Sequence, residues 1–432
     1  MSHIRALPTE ILFLIASFLQ GSAKFALARS CKTLYHELRP LILKFNIDYQ
    51  NSNLLGMAAK DDNITLARWL LDYGANINAF FPGKTPVMRA IKNSSPAVLT
   101  LLLNSPGLDI NLQNREQESA LWIPVRHGAS STLWRVLERV DCAVDLRHQR
   151  GQTALHLAVW WGRIGLAQLL LAKGNLDLAT IDRNGHTALH LAVRGRRLDV
   201  VDLILWHPRT DVNCIDNDGN TPLWWSTYLS YDEITESFLT VPGIDVNVCV
   251  ERQTPFSTAA AMGRANIMKI LLGIRDVEIN TGRELMDPPL CQAATGGHVE
   301  AVRLMVEQGE RLQINQGTLT THDTALGIAA RAGHLELIRA LLIHQNIDPN
   351  LENRWLESPL VLAAKGAHAR VVDALLADQR MDAHSLRAAL WSANDENVRR
   401  AIQRQIDSRR IYSEQIVASR SQGGLAARWP WV

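Results

Sequence analysis

The chain has 432 residues, of which 47% are hydrophobic and 20% are charged. That length is too great for one ordinary globular core, so several domains or a repeat array is expected. The hydrophobic fraction excludes disorder over most of the chain. The formal net charge of +2 is too small to indicate a nucleic-acid-binding protein.

Cysteine usage and the N-terminal residues indicate the compartment. The five cysteines lie singly, without the spacing of a metal site or a disulfide framework, as in proteins whose thiols stay reduced. The first residues have no basic region followed by an apolar run and a cleavage site. Their longest predominantly apolar run, residues 11–19, is shorter than the roughly 20 residues of a membrane span. We therefore expect a cytoplasmic or nuclear protein that binds neither membranes nor nucleic acid.

The N-terminal segment, residues 1–48, has a pattern of its own. A Leu-Pro pair at a helix start is followed by apolar residues at helical spacing. The segment resembles an F-box at Leu7, Pro8, Glu10, Ile11, Ile15, Leu19, Leu27, Cys31, Lys32, Tyr35 and Leu38. This resemblance implies docking on the adaptor subunit of a cullin–RING ubiquitin ligase through Leu7, Pro8, Ile11 and Ile15. The alternative is a helical cap that covers the apolar flank of the following repeats.

A three-residue signature then recurs nine times: Thr or Ser, Pro or Ala, and an apolar residue, with Pro in the first position of one copy. Successive copies are 33 to 36 residues apart, and six of the eight intervals are 34 residues. The copies begin at Thr85, Ser119, Thr153, Thr187, Thr221, Thr254, Pro288, Thr324 and Ser358. So regular a period indicates one structural unit repeated along the chain.

Each copy predicts two short helices. Thr or Ser is a favourable N-cap residue, and Pro suits the first helical position. The first helix is rich in alanine, which allows close packing of neighbouring helices. The second helix contains a Leu-Leu-type pair that we expect in the core. Glycines at 74, 174 and 309 suit a left-handed helix end. An asparagine closes most units, at Asn78, Asn111, Asn213, Asn247, Asn280, Asn315 and Asn350.

The period and the Thr-Ala-Leu-His-Leu-Ala hexapeptides at residues 153 and 187 resemble ankyrin repeats. The resemblance covers residues 50–405 and implies an all-α ankyrin-repeat solenoid with β-hairpin-like finger loops. It would contain about ten repeats and a truncated copy near Ser385 as a C-terminal cap. In this family His156 and His190 would make structural hydrogen bonds rather than bind metal. Residues 406–432 are expected to form a basic, partly disordered tail.

Ankyrin arrays bind partners on a concave face that includes the ends of the first helices. The first exposed position after each small-residue pair holds Lys60, Lys92, Arg126, Trp160, Arg194, Tyr228, Ala261, Thr295, Arg331 and Lys365. Six of these ten residues are cationic, and Trp161 adds a second tryptophan beside Trp160. We therefore predict a basic groove with an aromatic anchor, suited to an acidic or phosphorylated protein partner. Alternatively, the cations only favour the helix dipole.

Other tryptophans are expected to be structural, with Trp122 and at least one of Trp224 and Trp225 packed between repeats.

The sequence contains no phosphate-binding loop, zinc-protease motif or nucleophile elbow, so no enzyme activity, metal or cofactor is expected. Three hypotheses follow: a substrate-recognition subunit of an F-box ubiquitin ligase, a scaffold or regulator without a ligase link and, more remotely, an atypical pathway enzyme.

Overall fold

The computed structural model describes residues 53–248, 253–280 and 286–422, with side chains between residues 54 and 409. The predicted F-box-like segment and its four contact residues lie outside the described residues, as does the chain beyond residue 422. No helix of the described part is long and apolar enough to cross a membrane.

The described chain consists of paired short helices and confirms the predicted all-α repeat fold. It contains 22 α-helices, one 3-10 turn at Gly309–Arg311 and no regular strand within the described residues. The first helices of the pairs are α1 Asn53–Lys60, α3 Pro86–Lys92, α5 Trp122–His127, α7 Ala154–Trp160, α9 Ala188–Arg194, α11 Pro222–Tyr228, α13 Pro255–Ala261, α15 Pro289–Thr295, α17 Ala325–Ala332, α19 Pro359–Lys365 and α21 Ala383–Ser392. The second helices are α2 Ile64–Asp72, α4 Pro96–Leu103, α6 Ser130–Leu137, α8 Ile164–Leu171, α10 Leu198–Leu205, α12 Asp232–Leu239, α14 Ala265–Leu272, α16 Val299–Val306, α18 Leu335–Leu342, α20 Ala369–Leu376 and α22 Glu396–Gln422.

The chain divides into two compact units, Met1–Asp211 and Val212–Val432. In the first unit α3 packs against α1 and α5, and α7 packs against α5 and α9. In the second unit each first helix, from α11 to α21, packs against the first helix of the next repeat. The second helices, from α12 to α22, pack against one another in the same way and form a second layer. Each unit is thus a stack of helical pairs in which a repeat contacts its neighbours, as expected of a solenoid.

The repeat signature starts the first helix as predicted in most copies. Thr85, Thr187, Thr221, Thr254 and Thr324 each accept a hydrogen bond from the backbone N–H three residues later. Ser119 and Ser358 depart from this pattern, because their buried hydroxyls have no hydrogen-bond partner. After Ser119 the helix begins later, at Trp122.

The core is built from the alanines of the first helices and one face of the second helices. The first member of each predicted Leu-Leu pair is fully buried, at Leu70, Leu102, Leu170, Leu271, Leu341 and Leu375. The second member is only half-buried at Leu71, Leu272 and Leu342, so the prediction that both belong to the core is wrong there. Adjacent positions on a helix point about 100° apart, so the second leucine lies at the edge of the packed face.

The predicted helix ends and finger loops are also present. Gly74, Gly174 and Gly309 have φ values of 85°, 76° and 55°, which is the left-handed region that favours glycine. The fingers are tight turns closed by backbone bonds such as Asp182 N–H to His186 C=O at 2.9 Å.

The truncated last copy begins with Asp382, whose carboxylate accepts the Ser385 N–H at 2.7 Å. Helix α22 crosses the tail boundary predicted at residues 405 and 406 and continues to Gln422.

Neighbouring repeats are joined by the seven predicted asparagines, which are half-buried. In each, the side-chain amide donates to a backbone carbonyl of the next repeat at 2.7–2.9 Å. The same side chain accepts a backbone N–H of that repeat at 2.8–2.9 Å. One asparagine therefore pairs with two backbone groups of the neighbouring repeat.

Two repeats of the first unit lack this asparagine. Asp145 accepts the Asp177 N–H at 3.2 Å but has no amide N–H to donate. Burial raises the pKa of the Asp145 carboxyl, and the neighbouring Asp177 charge adds to the effect. Ala179 holds the same position one repeat later and has no polar side-chain atom.

Replacing Asn111 with alanine is expected to destabilise the chain by about 1–3 kcal/mol, because two interrepeat hydrogen bonds are lost together. Urea denaturation followed by circular dichroism measures the change. The matched control is Asn104→Ala, since the exposed Asn104 side chain makes no hydrogen bond in the described part of the chain. Equal destabilisation by both substitutions would contradict the role of the asparagine bridge.

Asp145→Asn is expected to stabilise the protein at pH 7 by about 0.5–1.5 kcal/mol, because it restores the amide donor and removes a half-buried charge. The raised native pKa means that ionisation of Asp145 weakens the folded state as the pH rises. The gain should therefore shrink as the pH falls and the wild-type carboxyl becomes protonated. Urea denaturation of both proteins between pH 4 and pH 7 measures it, and a gain that grows toward acid would be inconsistent with this mechanism.

Candidate partner-binding surface

The predicted groove residues share one structural position at the ends of the first helices. In the first unit Lys60, Lys92, Trp160 and Arg194 are the last residues of their helices, and Arg126 is next to last. In the second unit Tyr228 and Lys365 are final residues, and Arg331 is next to last. All of them, and Trp161, are exposed. The repeat register therefore identified equivalent surface positions within each unit.

Several of these cations are already paired with an acidic residue eight positions earlier, at the base of the finger. In the first unit Arg126 forms an ion pair with Glu118, whose side chain is only 2% exposed. Lys84 approaches the other oxygen of the Glu118 carboxylate at 3.5 Å. Burial alone would raise the pKa of Glu118, but the Arg126 and Lys84 charges and a hydrogen bond from Asn114 hold it below its ordinary value.

The second unit repeats this arrangement. Arg331 pairs with Asp323, which is 3% exposed, at 2.8 Å, and Lys365 pairs with Glu357. The Arg331 guanidinium also lies 5.9 Å from the ring centre of the exposed Trp355. These cations hold the finger against the first helix, so only part of their charge is available to a partner. The eight-residue spacing is visible in the sequence, but only the folded finger shows that it brings the two charges together.

Tyr228 lies in an aromatic cluster of the second unit. Its ring stacks on Trp224 with ring centres 5.0 Å apart and meets Trp225 edge-on at 6.0 Å. The Trp224 indole N–H donates to Thr258 at 2.9 Å and that of Trp225 to Asp216 at 2.8 Å. Both tryptophans are half-buried, and the Trp224 bond spans two repeats, as predicted. Tyr228 is therefore partly engaged in packing.

The histidines of the two hexapeptides are structural, as predicted. His156 Nδ1 lies 2.8 Å from the Thr153 hydroxyl, and its Nε2 lies 3.1 Å from the His186 carbonyl oxygen of the next finger. Burial lowers the pKa of His156 to about 4, so the ring is neutral at physiological pH.

Trp122, at 2% exposure, is buried against the His148 ring. Among the described residues, no group of three or more His, Cys, Asp and Glu side chains is arranged to hold a metal ion.

Trp160, Trp161 and Arg194 are the predicted groove residues that line a common cavity, in the first unit. The two tryptophans are 52% and 54% exposed. Arg194 Nη1 lies 3.0 Å from Nε2 of His186. Sequence reasoning missed the finger residues Arg150 and Arg183, which line the same cavity. The sequence feature that could have identified these two arginines is the 34-residue register, which places the finger tips beside the helix ends. The predicted aromatic anchor is thus combined with cationic groups.

Arg126→Ala is expected to lower the free energy of unfolding by about 1–3 kcal/mol, although Arg126 is exposed, because Glu118 stays buried and loses its main cationic partner. Chemical denaturation at neutral pH measures the loss. Lys92→Ala is the control, since Lys92 occupies the same helix position and forms no ion pair with another described residue. If both variants unfold at the same urea concentration, the Arg126–Glu118 pair has no structural role.

Comparisons with known proteins agree with this architecture. The chain matches the ankyrin-repeats family model at residues 23–114, 121–216 and 275–353, more than half of its length. The first match begins inside the N-terminal segment 1–48. The chain is 34% identical over 111 residues to "Ankyrin repeat and KH domain-containing protein mask" of Drosophila melanogaster. It is 31% identical over 109 residues to "Ankyrin repeat and KH domain-containing protein 1" of Homo sapiens.

Each of these alignments covers 25% of this chain but only 3% and 4% of the relatives' own lengths. Among solved structures, that of the ankyrin repeat protein EF0377 aligns with a TM-score of 0.40 and 26% identity, over 43% of this chain and 96% of that one. The family match covers repeats in both units, with the helical pairs and asparagine bridges described above. The chain therefore belongs to the ankyrin-repeat family.

Proposed function

We propose that this chain is the substrate-recognition subunit of a cullin–RING ubiquitin ligase of the F-box type. Ankyrin repeats are protein–protein interaction scaffolds, and the exposed ends of the first helices provide the surface for a protein target. The observation that carries the ligase role is the pattern in the N-terminal segment, where Leu7-Pro8 and Glu10-Ile11 precede spaced aliphatic residues. A docking motif directly before an interaction array is the arrangement that such a subunit requires.

In this proposal the two parts of the chain have separate tasks. Leu7, Pro8, Ile11 and Ile15 contact the ligase adaptor, and the repeats select the target. The target is an acidic or phosphorylated protein, because six of the ten predicted helix-end residues are cationic and none is acidic. The ion pairs of Arg126, Arg331 and Lys365 reduce the positive charge that these three residues offer to a partner.

The second candidate is a scaffold or regulator with the same target surface and no ligase. The family match beginning at residue 23 favours it, since part of the N-terminal segment then belongs to the repeats. The two candidates differ only in the role of the first residues, so a test directed at those residues separates them.

The test is affinity purification of the full-length chain with quantitative mass spectrometry. Wild type is expected to recover the ligase adaptor and cullin, and Leu7→Ala combined with Pro8→Ala to reduce both at least tenfold. Phe13→Ala is the control, since it removes an apolar side chain of the same segment outside the F-box-like pattern. Equal recovery by wild type and the double variant, or no adaptor with either, would refute the ligase role and leave the scaffold.

A further inference from the structure

One finger of the second unit has a leucine at a position where three other fingers have glycine. Leu356 has a φ of 59°, in the left-handed region that residues with a Cβ disfavour. The equivalent residues Gly151, Gly185 and Gly219 have φ values of 76°, 77° and 79°. A bulky apolar residue is therefore held in a backbone conformation that suits glycine.

Burial does not compensate for this strain. Leu356 is 74% exposed, and the preceding Trp355 is 57% exposed. The Arg331 guanidinium, 5.9 Å from the Trp355 ring centre, leaves most of this side chain in water. Apolar area that stays in water adds nothing to folding, and strained residues of this kind are concentrated at functional sites. The Trp-Leu pair therefore indicates a surface that a partner covers.

A finger of the first unit forms the same turn from polar residues. Residues 114–118 read Asn-Arg-Glu-Gln-Glu, and residues 353–357 read Asn-Arg-Trp-Leu-Glu. Asn114 Oδ1 accepts the backbone N–H groups of Glu116 and Glu118, both at 2.9 Å. Gln117 has a φ of 59°, the same value as its equivalent Leu356. The turn itself therefore does not require tryptophan and leucine at its tip.

The tip is fixed by Asn353, which is 5% exposed. Asn353 Oδ1 accepts the backbone N–H groups of Trp355 at 2.9 Å and Glu357 at 3.0 Å. The Arg354 N–H donates to the Thr321 carbonyl of the preceding finger at 2.9 Å. These bonds hold the strained conformation without a partner. A preorganised site loses less conformational entropy on binding.

The charge that this tip offers to a partner is positive. Asp323 is 3% exposed and pairs with Arg331 at 2.8 Å, and Glu357 pairs with Lys365. Both carboxylates are thus engaged within the unit. The exposed Arg354 side chain forms no hydrogen bond or ion pair with another described residue. Its guanidinium therefore lies beside the exposed Trp-Leu pair without a neutralising neighbour among the described residues.

We propose that Arg354, Trp355 and Leu356, here called the fingertip patch, dock an acidic segment of a partner protein. A large apolar side chain of that segment packs on Trp355 and Leu356, and a nearby Asp or Glu carboxylate pairs with Arg354. Arginine binds carboxylates in a bidentate manner, and Trp and Arg are enriched at interface hot spots. The inference rests on the proposed target-binding role of the repeats and does not require the ligase.

The experiment selects a displayed library of short random peptides on the full-length protein and removes clones that also bind the Leu356→Asn variant. The most enriched peptide is synthesised with a fluorescent label, and its Kd is measured by anisotropy. Vesicles of phosphatidylcholine and phosphatidylserine are the second probe, because exposed Trp, Leu and Arg side chains would also suit a lipid surface.

Enriched peptides are expected to carry Asp or Glu within two positions of a Trp, Phe, Leu or Met. Arg354→Glu should weaken the labelled peptide by at least about tenfold, because a charge-assisted hydrogen bond is lost. Trp355→Ala should weaken it by about tenfold through lost apolar contact. The matched controls, Arg115→Glu and Gln117→Asn, make equivalent changes in the first-unit finger and should alter Kd by less than about twofold.

Thermal denaturation separates this role from a structural one. Asparagine tolerates the left-handed region, so Leu356→Asn should leave the midpoint of unfolding unchanged or raise it. A fall of more than about 3 °C would show that the leucine serves the fold and would overturn the inference. Circular dichroism establishes that every other variant is folded.

The absence of enriched peptides, or enrichment without an acidic preference, would also overturn the inference. So would equal weakening by Arg354→Glu and Arg115→Glu. Vesicle binding that is lost in the Leu356→Asn variant would identify a lipid surface instead of a protein segment. Because the assay contains no ligase, its failure is distinct from a failure to recover the adaptor.

Discussion

The stack depends on the asparagine bridge between consecutive repeats. A helical pair of this length presents backbone groups at both stacking surfaces, and hydrogen bonds between those groups and the next repeat join the two. One asparagine amide supplies both a donor and an acceptor, so it pairs with a carbonyl and an N–H of the next repeat. The bridge is made by two asparagines in the first unit and five in the second. It joins consecutive repeats at a position that recurs with the same period as the exposed helix ends.

Because the repeats share one register, a residue that differs from its equivalents in the other repeats can be assigned a structural effect. At Asp145 the bridge keeps its acceptor and loses its donor, and the buried carboxyl has a raised pKa. The same comparison between repeats applies to the ends of the first helices, where a cationic side chain pairs with the carboxylate of the residue eight positions earlier. These pairs fasten each finger to its helix and set the local charge of the exposed surface. Under the proposed function, stability and binding share residues, and a substitution such as Arg126→Ala is expected to affect both.

In the first unit the residues eight positions before Trp160 and Arg194 are not acidic. Where Gln152 and His186 replace the carboxylate, neighbouring arginines and two tryptophans line one cavity. Backbone bonds hold the adjacent fingers, and one of them runs from the Arg183 N–H to the Arg150 carbonyl at 3.1 Å.

Sequence alone determined the period, the helical pairs, the glycine helix ends and the asparagine positions, because each depends on local geometry repeated at fixed spacing. The resemblance to ankyrin repeats supplied the structural hydrogen-bonding role of His156. Sequence alone also identified the exposed helix-end positions from Lys60 to Lys365. Only the tertiary structure decided which of those cations are neutralised, because the partner carboxylate reaches them through the folding of the finger. The same holds for the half-buried second leucines, for the grouping of Arg150 and Arg183 with the Trp160-Trp161 pair, and for the continuation of α22 beyond residue 405. These features depend on how separate segments pack, and linear spacing does not contain that information.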